Sequence, residues 1–175
     1  MKLPQVQATV VLPMNERGEV ALARKKQPIH HGNGEISYSL ARYNGYGGKK
    51  EGGDVDIFDT AIRELEAESS LVAKRSDLDL ALRVYFYVLK VEAEEVVPFM
   101  EVFFFTLKKY EGVPTEGLEM GPPTFFEKSL IPYGEMMPAD QFLFEKIFRG
   151  EKGVYQVVLK GKDSPPEIIL LEEVL

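Results

Sequence analysis

The sequence predicts an α/β fold: an α/β/α sandwich with a mixed central sheet and two main flanking helices. Runs rich in Val, Phe, Tyr and Leu recur at strand length along the chain. Two other segments carry helical periodicity instead. A glycine-rich loop, Gly47-Gly48 through Gly52-Gly53, feeds directly into the first of these helices.

Gln7 to Leu12 and Glu19 to Arg24 read as a hairpin turning at Asn15-Glu16-Arg17-Gly18. In the first helix Phe58, Ala61, Ile62 and Leu65 fall at i, i+3, i+4 and i+7, which lines up one apolar stripe. Asp59 lies in its first turn, where negative charge suits the helix dipole. Leu80 to Val91 and Pro98 to Lys108 have strand composition, with Ala93-Glu94-Glu95 as their link. Within the second run, Phe103 to Phe105 reads as buried, with one face free to line a pocket. Asp140 to Arg149 carries apolar Phe142, Leu143, Ile147 and Phe148, and so predicts a second helix. Pro138 suits the start of that helix and Gly150 its end. Val154 to Leu159 and Glu167 to Leu171 are the last strands. Gly32-Asn33-Gly34 and Gly121-Pro122-Pro123 read as loops. No internal repeat or linker interrupts the chain, so one domain is expected over residues 1–175.

Composition narrows the function. At 175 residues the chain can bury a sizeable core, and its 45% hydrophobic content argues against disorder. No apolar run approaches membrane-spanning length, so no membrane partner is expected. The chain has no cysteine, which excludes disulfides and thiolate metal sites and leaves a cytoplasmic location as the default. His30-His31 has no third soft ligand, which argues against zinc. A net charge of -7 argues against nucleic-acid polymers as partners. A small anionic ligand still fits, provided that a cation and a local lysine offset its charge.

The loop and first helix carry the chemistry. Glycines let a backbone approach a ligand closely. Glu64 and Glu68 stand four apart, so they stack on one helix face beside the apolar stripe. Carboxylates so placed suit a hard divalent cation. A solvated acidic face is the more ordinary meaning of an acidic helix alone; the preceding glycines shift that balance.

From Gly48 to Leu71 the chain resembles the Nudix box: a glycine, a five-residue spacer, a glutamate, a seven-residue spacer, then Arg-Glu-U-x-Glu-Glu-x-Gly-U, with U aliphatic. Gly48 matches the opening glycine, Asp54 the first acid, Arg63-Glu64-Leu65 the Arg-Glu-U, Glu68 the last glutamate and Leu71 the closing aliphatic. Three departures stand out: one extra residue between Asp54 and Arg63, Ala67 for the first glutamate of the pair, and Ser70 for the late glycine. Ala41 to Lys49, Leu118-Glu119-Met120 and Met136-Met137-Pro138-Ala139-Asp140 are similar to the oxidised-purine nucleoside triphosphatase branch (8-oxo-dGTPase, MutT-like).

The resemblance implies a Nudix fold and a pyrophosphohydrolase that cleaves a (d)NTP to (d)NMP and pyrophosphate with Mg²⁺ or Mn²⁺. Catalytic residues would be Glu64, Glu68 and Glu119, with the Gly48 carbonyl as a further metal ligand. Arg63 would pair with an acidic residue of the loop, Asp54 or a neighbour, in a structural role rather than touch substrate. Lys25 matches a phosphate-contacting lysine, although a solvated lysine in the run Arg24-Lys25-Lys26 is an equal reading. Asn44 and Asp140 match the pair that reads the purine edge, with Tyr43 or Met137 to stack on the base. Taken alone, Asn44 is a turn asparagine and Asp140 a helix N-terminal acid. The segment from Ile29 to Ser39 is longer than in the relatives and would form a lid or hairpin near the pocket mouth. A different class of function stays open: a weakened Nudix domain that binds a nucleotide or a partner protein, as Ala67 suggests. Another nucleoside diphosphate-linked substrate is the alternative within the enzyme class.

Overall fold

The computed structural model describes residues 4, 6–26, 42–88, 98–160 and 165–173. The whole Ile29 to Ser39 segment, with His30-His31 and Gly32-Asn33-Gly34, and the Ala93-Glu94-Glu95 link lie outside the described residues. The strands are β1 Gln7–Pro13, β2 Val20–Arg24, β3 Tyr43–Asn44, β4 Leu78–Val88, β5 Met100–Leu107, β6 Thr124–Phe126, β7 Gly153–Leu159 and β8 Glu167–Glu173. The α-helices are α1 Ile57–Ser69 and α2 Asp140–Phe148.

Five strands form a mixed sheet in the order β1-β5-β4-β7-β8. The β1–β5 and β4–β7 pairs are parallel, and β4–β5 and β7–β8 are antiparallel. A second, three-stranded sheet has the order β3-β2-β6. The expected β1–β2 hairpin therefore needs correction. The turn is real: Asn15 N donates to Glu19 O at 3.0 Å, and Met14 bridges Val20. Beyond that bridge the two strands diverge into different sheets, because β1 finds its partner in β5 and β2 finds its partners in β3 and β6.

The period-two alternation of β5 divides the core between both faces of the main sheet. Phe104 packs in one cluster with Leu143, Phe144 and Ile147 of α2. Phe103 and Phe105 point the other way, into a cluster with Ala61 and Leu65 of α1. All three phenylalanines are buried, so this run is a two-sided core strand. The two helices thus cover opposite faces, which is the α/β/α sandwich of the Nudix fold.

Local chemistry sets the ends of α1. Asp56 is the N-cap and accepts from Phe58 N at 2.9 Å and Asp59 N at 3.3 Å. Arg75 holds the same carboxylate with a bond of 2.9 Å from Nη1. At the other end Ser70 adopts a left-handed conformation with φ 61°, and its N–H closes on Glu66 O at 2.8 Å. α2 ends at Gly150, with φ +79° and its N–H on Ile147 O at 3.0 Å.

Candidate active site

The glycine loop, the far half of α1 and the end of β2 converge at one place. Gly47 has φ 153°, and a Cβ there would lie 2.1 Å from Thr9 O, so no side chain fits. A Cβ on Gly48 would lie 2.6 Å from the Glu64 carboxylate. The two glycines therefore let the loop backbone close directly over the acidic face of α1.

Glu68 is almost fully buried there. It accepts from Gly47 N at 2.6 Å and from Lys25 Nζ at 3.4 Å, and Lys25 also reaches Gly47 O at 3.5 Å. Burial pushes the Glu68 carboxyl up to about 7; Lys25 and the Gly47 amide act against that rise, and Glu64 adds to it. Lys25 is buried too, which overturns its reading as a solvated surface lysine. Its ammonium faces the carboxylate and a loop carbonyl.

Arg63 builds the frame beside this pair. Its Nε and Nη2 donate to both oxygens of Asp54 at 2.9 Å, its Nη1 to Glu64 Oε1 at 2.7 Å and its Nη2 to Lys49 O at 3.1 Å. The Arg63 bonds, then the Glu51 amide, hold the Asp54 carboxyl well below the usual carboxylate range. The same bonds hold the Arg63 guanidinium above its ordinary value. Thr60 Oγ1 donates to Asp54 at 2.9 Å. With one residue more than the box spacing between them, Asp54 still reaches Arg63.

Glu119 stands apart from this group. Its side chain is exposed, and among the described residues no three acidic or histidine side chains gather as a metal cage. Glu68 itself turns inward, held by Lys25 and Gly47. The oxygen donors at the loop are the Glu64 carboxylate beside Gly48, the Glu68 carboxylate on Gly47 N, and the Gly48 carbonyl, which accepts from Thr9 N at 2.9 Å and keeps a second lone pair. Hard oxygen donors of this kind fit a divalent cation such as Mg²⁺ or Mn²⁺.

A second group forms on the α2 side. Arg42 donates from Nη1 to Met136 O, tying the strand that holds Asn44 to the segment that starts α2. Asn44 Oδ1 accepts from its neighbour Gly45 N at 2.9 Å. Asp140 Oδ2 accepts from Met137 N at 3.1 Å, and Asp140 N donates back to Met137 O at 2.9 Å. Burial raises the Asp140 carboxyl to about 7, opposed by the Met137 amide and Arg42. Met136 fills core, while Met137 is half-buried. Tyr43 is already engaged: the Arg24 guanidinium lies 4.1 Å over its ring and Phe126 meets it edge-on at 5.2 Å. Both contacts fix the orientation of the Tyr43 ring.

Sequence reasoning missed the tight role of Gly117. A Cβ there would lie 2.7 Å from Glu68 O, so the loop bearing Glu119 crosses the last turn of α1 at backbone distance. One glycine in a loop gives no local signal of such a contact.

The architecture is that of the Nudix fold. A MutT protein from Bacillus halodurans superimposes with a TM-score of 0.72 over 95% of this chain and 97% of that one, at 17% identity. The MutT Nudix hydrolase of Burkholderia pseudomallei gives 0.60 over 83% and 99%, at 14% identity. The Nudix domain of Shewanella oneidensis NrtR, solved with ADP-ribose, gives 0.60 over 85% and 89%, at 12% identity. In sequence, the chain is 29% identical over 133 residues to the mouse oxidized purine nucleoside triphosphate hydrolase, covering 76% of this chain and 80% of that protein. No protein-family model matches the chain. Among the described residues, no helix is long and apolar enough to cross a membrane.

Proposed function

We propose that the protein is a Mg²⁺- or Mn²⁺-dependent nucleoside triphosphate pyrophosphohydrolase that converts an oxidised or modified purine (d)NTP to (d)NMP and pyrophosphate. The observation that carries this reading is the seating of the Glu64 and Glu68 carboxylates against the Gly47-Gly48 backbone, where Gly47 has no room for a side chain. The likeness to the mouse oxidized purine nucleoside triphosphate hydrolase supports the substrate class. One Nudix domain over residues 1–175, in the cytoplasm, belongs to the same proposal.

Each residue has a defined task in this reading. Glu64 and Glu68, with the Gly48 carbonyl and Glu119, would hold the cation, which supplies charge neutralisation on the phosphate oxygens and a more acidic water when bound. Burial raises the Glu68 carboxyl in the metal-free protein, and a bound cation would favour its charged form. Lys25 places a positive charge beside the loop carbonyl where a phosphate chain would approach. Arg63 and Asp54 keep the loop and helix in register. Asn44 and Asp140 read the purine edge: an amide offers donor and acceptor together, and a carboxyl raised by burial can donate. Met137 packs on the base face.

Pyrophosphate release from a panel of normal and oxidised nucleoside triphosphates, with and without Mg²⁺, tests the reading. The expected result is metal-dependent release concentrated on an oxidised or modified purine, lost in Glu68→Gln. Release that is metal-independent, or unchanged in Glu68→Gln, overturns it. A second reading is a domain that binds a nucleotide without cutting it. Ala67, exposed where the family box has a glutamate, favours that reading, as does the ADP-ribose held by the NrtR Nudix domain. Retained nucleotide binding with no turnover on any triphosphate would select it. Ala67→Glu restores the box glutamate at an exposed site. It should raise turnover in a weakened enzyme and leave it level in one that works through Glu64, Glu68 and Glu119.

A further inference from the structure

We infer that Lys26 is a positioning residue that holds the Glu119 loop against the end of α1 and so completes the metal site; this rests on the proposed function, in which Glu119 is a ligand. Glu119 is exposed, and its side chain is not gathered with Glu64 and Glu68. Its placement must come from the loop, and Lys26 grips that loop at three points, two of them on its backbone. Lys26 N donates to Glu119 O at 2.8 Å. Lys26 Nζ donates to Gly117 O at 2.9 Å. The same ammonium ion-pairs with Glu116.

The loop has little freedom once gripped. Gly121 N donates to Arg24 O at 2.8 Å, and Lys25 bridges Met120, so the end of β2 continues as a short ladder along it. On its other side Thr115 N donates to Ser69 O at 2.8 Å, and Gly117 sits where a Cβ would be 2.7 Å from Glu68 O. Lys25 and Lys26 therefore divide the work between adjacent positions. Lys25 turns inward to Glu68, and Lys26 turns outward to clasp the strip that bears Glu119. An exposed ion pair alone contributes little. Here three contacts from one residue converge on residues 116–119, and two of them go to backbone carbonyls.

The test compares Mn²⁺ affinity, by electron paramagnetic resonance on the whole chain, for wild type, Glu119→Gln, Lys26→Met, Lys26→Arg and Glu116→Gln. Amide exchange is followed at Thr115, Gly117 and Gly121. The expected result is about ten-fold weaker Mn²⁺ binding in both Glu119→Gln and Lys26→Met. Exchange at the three amides should quicken in Lys26→Met, and Lys26→Arg should restore both readouts. Glu116→Gln should fall between, and it leaves Lys26 in place should Lys26→Met fold poorly. If Glu119→Gln weakens Mn²⁺ binding while Lys26→Met and Glu116→Gln match wild type, the inference falls and the proposed site stands. If Glu119→Gln binds Mn²⁺ as wild type does, Glu119 is not a ligand, and the inference falls with that reading.

Discussion

Two buried carboxyls hold titration points far from their ordinary values. Asp140 shows the consequence most simply. Its folded value of about 7 lies above the ordinary 3.8, because burial penalises the charged form. Below about pH 4 the proton stays on in both states, so the group has its full stabilising effect. As pH rises towards 7 the unfolded chain releases the proton first, and that stability is lost. Asp140→Asn keeps an oxygen for the Met137 amide and removes the titration. Thermal melts of wild type and Asp140→Asn, from about pH 5 to about pH 8, should therefore diverge, with the variant gaining ground towards high pH. Parallel melting curves across that range would place the Asp140 carboxyl at an ordinary value. Tyr46 offers a second case: its hydroxyl is buried with no hydrogen-bond partner among the described residues. Tyr46→Phe should raise stability by about 1 kcal/mol, read from urea unfolding. A loss of stability would mean that the hydroxyl is bonded in solution.

At the scale of elements, α1 carries the site and shows what the box departures do. Ser70 occupies the position of the family glycine and takes φ 61° at the helix end. A side chain in that conformation costs about 1 kcal/mol. The Ser70 hydroxyl lies 2.8 Å from Thr115 Oγ1, a bond at an exposed position that offsets only part of the strain. Ser70→Gly should raise the melting temperature by roughly 2–4 °C. An unchanged or lower value would show that the Thr115 bond outweighs the strain. The departure at Ala67 is different in kind. The position is exposed, so it removes a carboxylate without disturbing packing. The helix itself was legible because its apolar stripe and its acidic face repeat at helical spacing. Its acidic cap at Asp56 was not singled out, because Asp54, Asp56 and Asp59 are all acids near the start and only geometry separates their roles. Asp54 serves Arg63, and Asp56 serves the helix amides and Arg75.

At the scale of the whole molecule, the main sheet keeps two cores apart. Phe104 belongs to the α2 side and Phe105 to the α1 side. Either truncation to alanine should cost about 3–5 kcal/mol. Amide exchange should separate them: Phe105→Ala should quicken α1 and Phe104→Ala should quicken α2. Equal quickening of both helices in either variant would mean that the two cores unfold as one unit.

Periodicity, turn residues and the box spacing were enough to give the sandwich, both helices and the pairing of Arg63 with Asp54, because those features rest on contacts between near neighbours or on alternation along one element. Strand partnership was a different matter. A turn at Asn15 suggested a hairpin, yet β1 pairs with β5 some ninety residues away in sequence. Local sequence encodes a turn and cannot encode which distant edge competes for the strand. The same limit applies to Lys25. One of two adjacent lysines faces a buried carboxylate and the other clasps an exposed loop, and identical chemistry in sequence gives no sign of which is which. The sequence alone determined which donors, acids and glycines are available and where along the chain they recur. The tertiary structure decided which of them face one another, because burial and approach distance are set by packing between segments far apart in the chain.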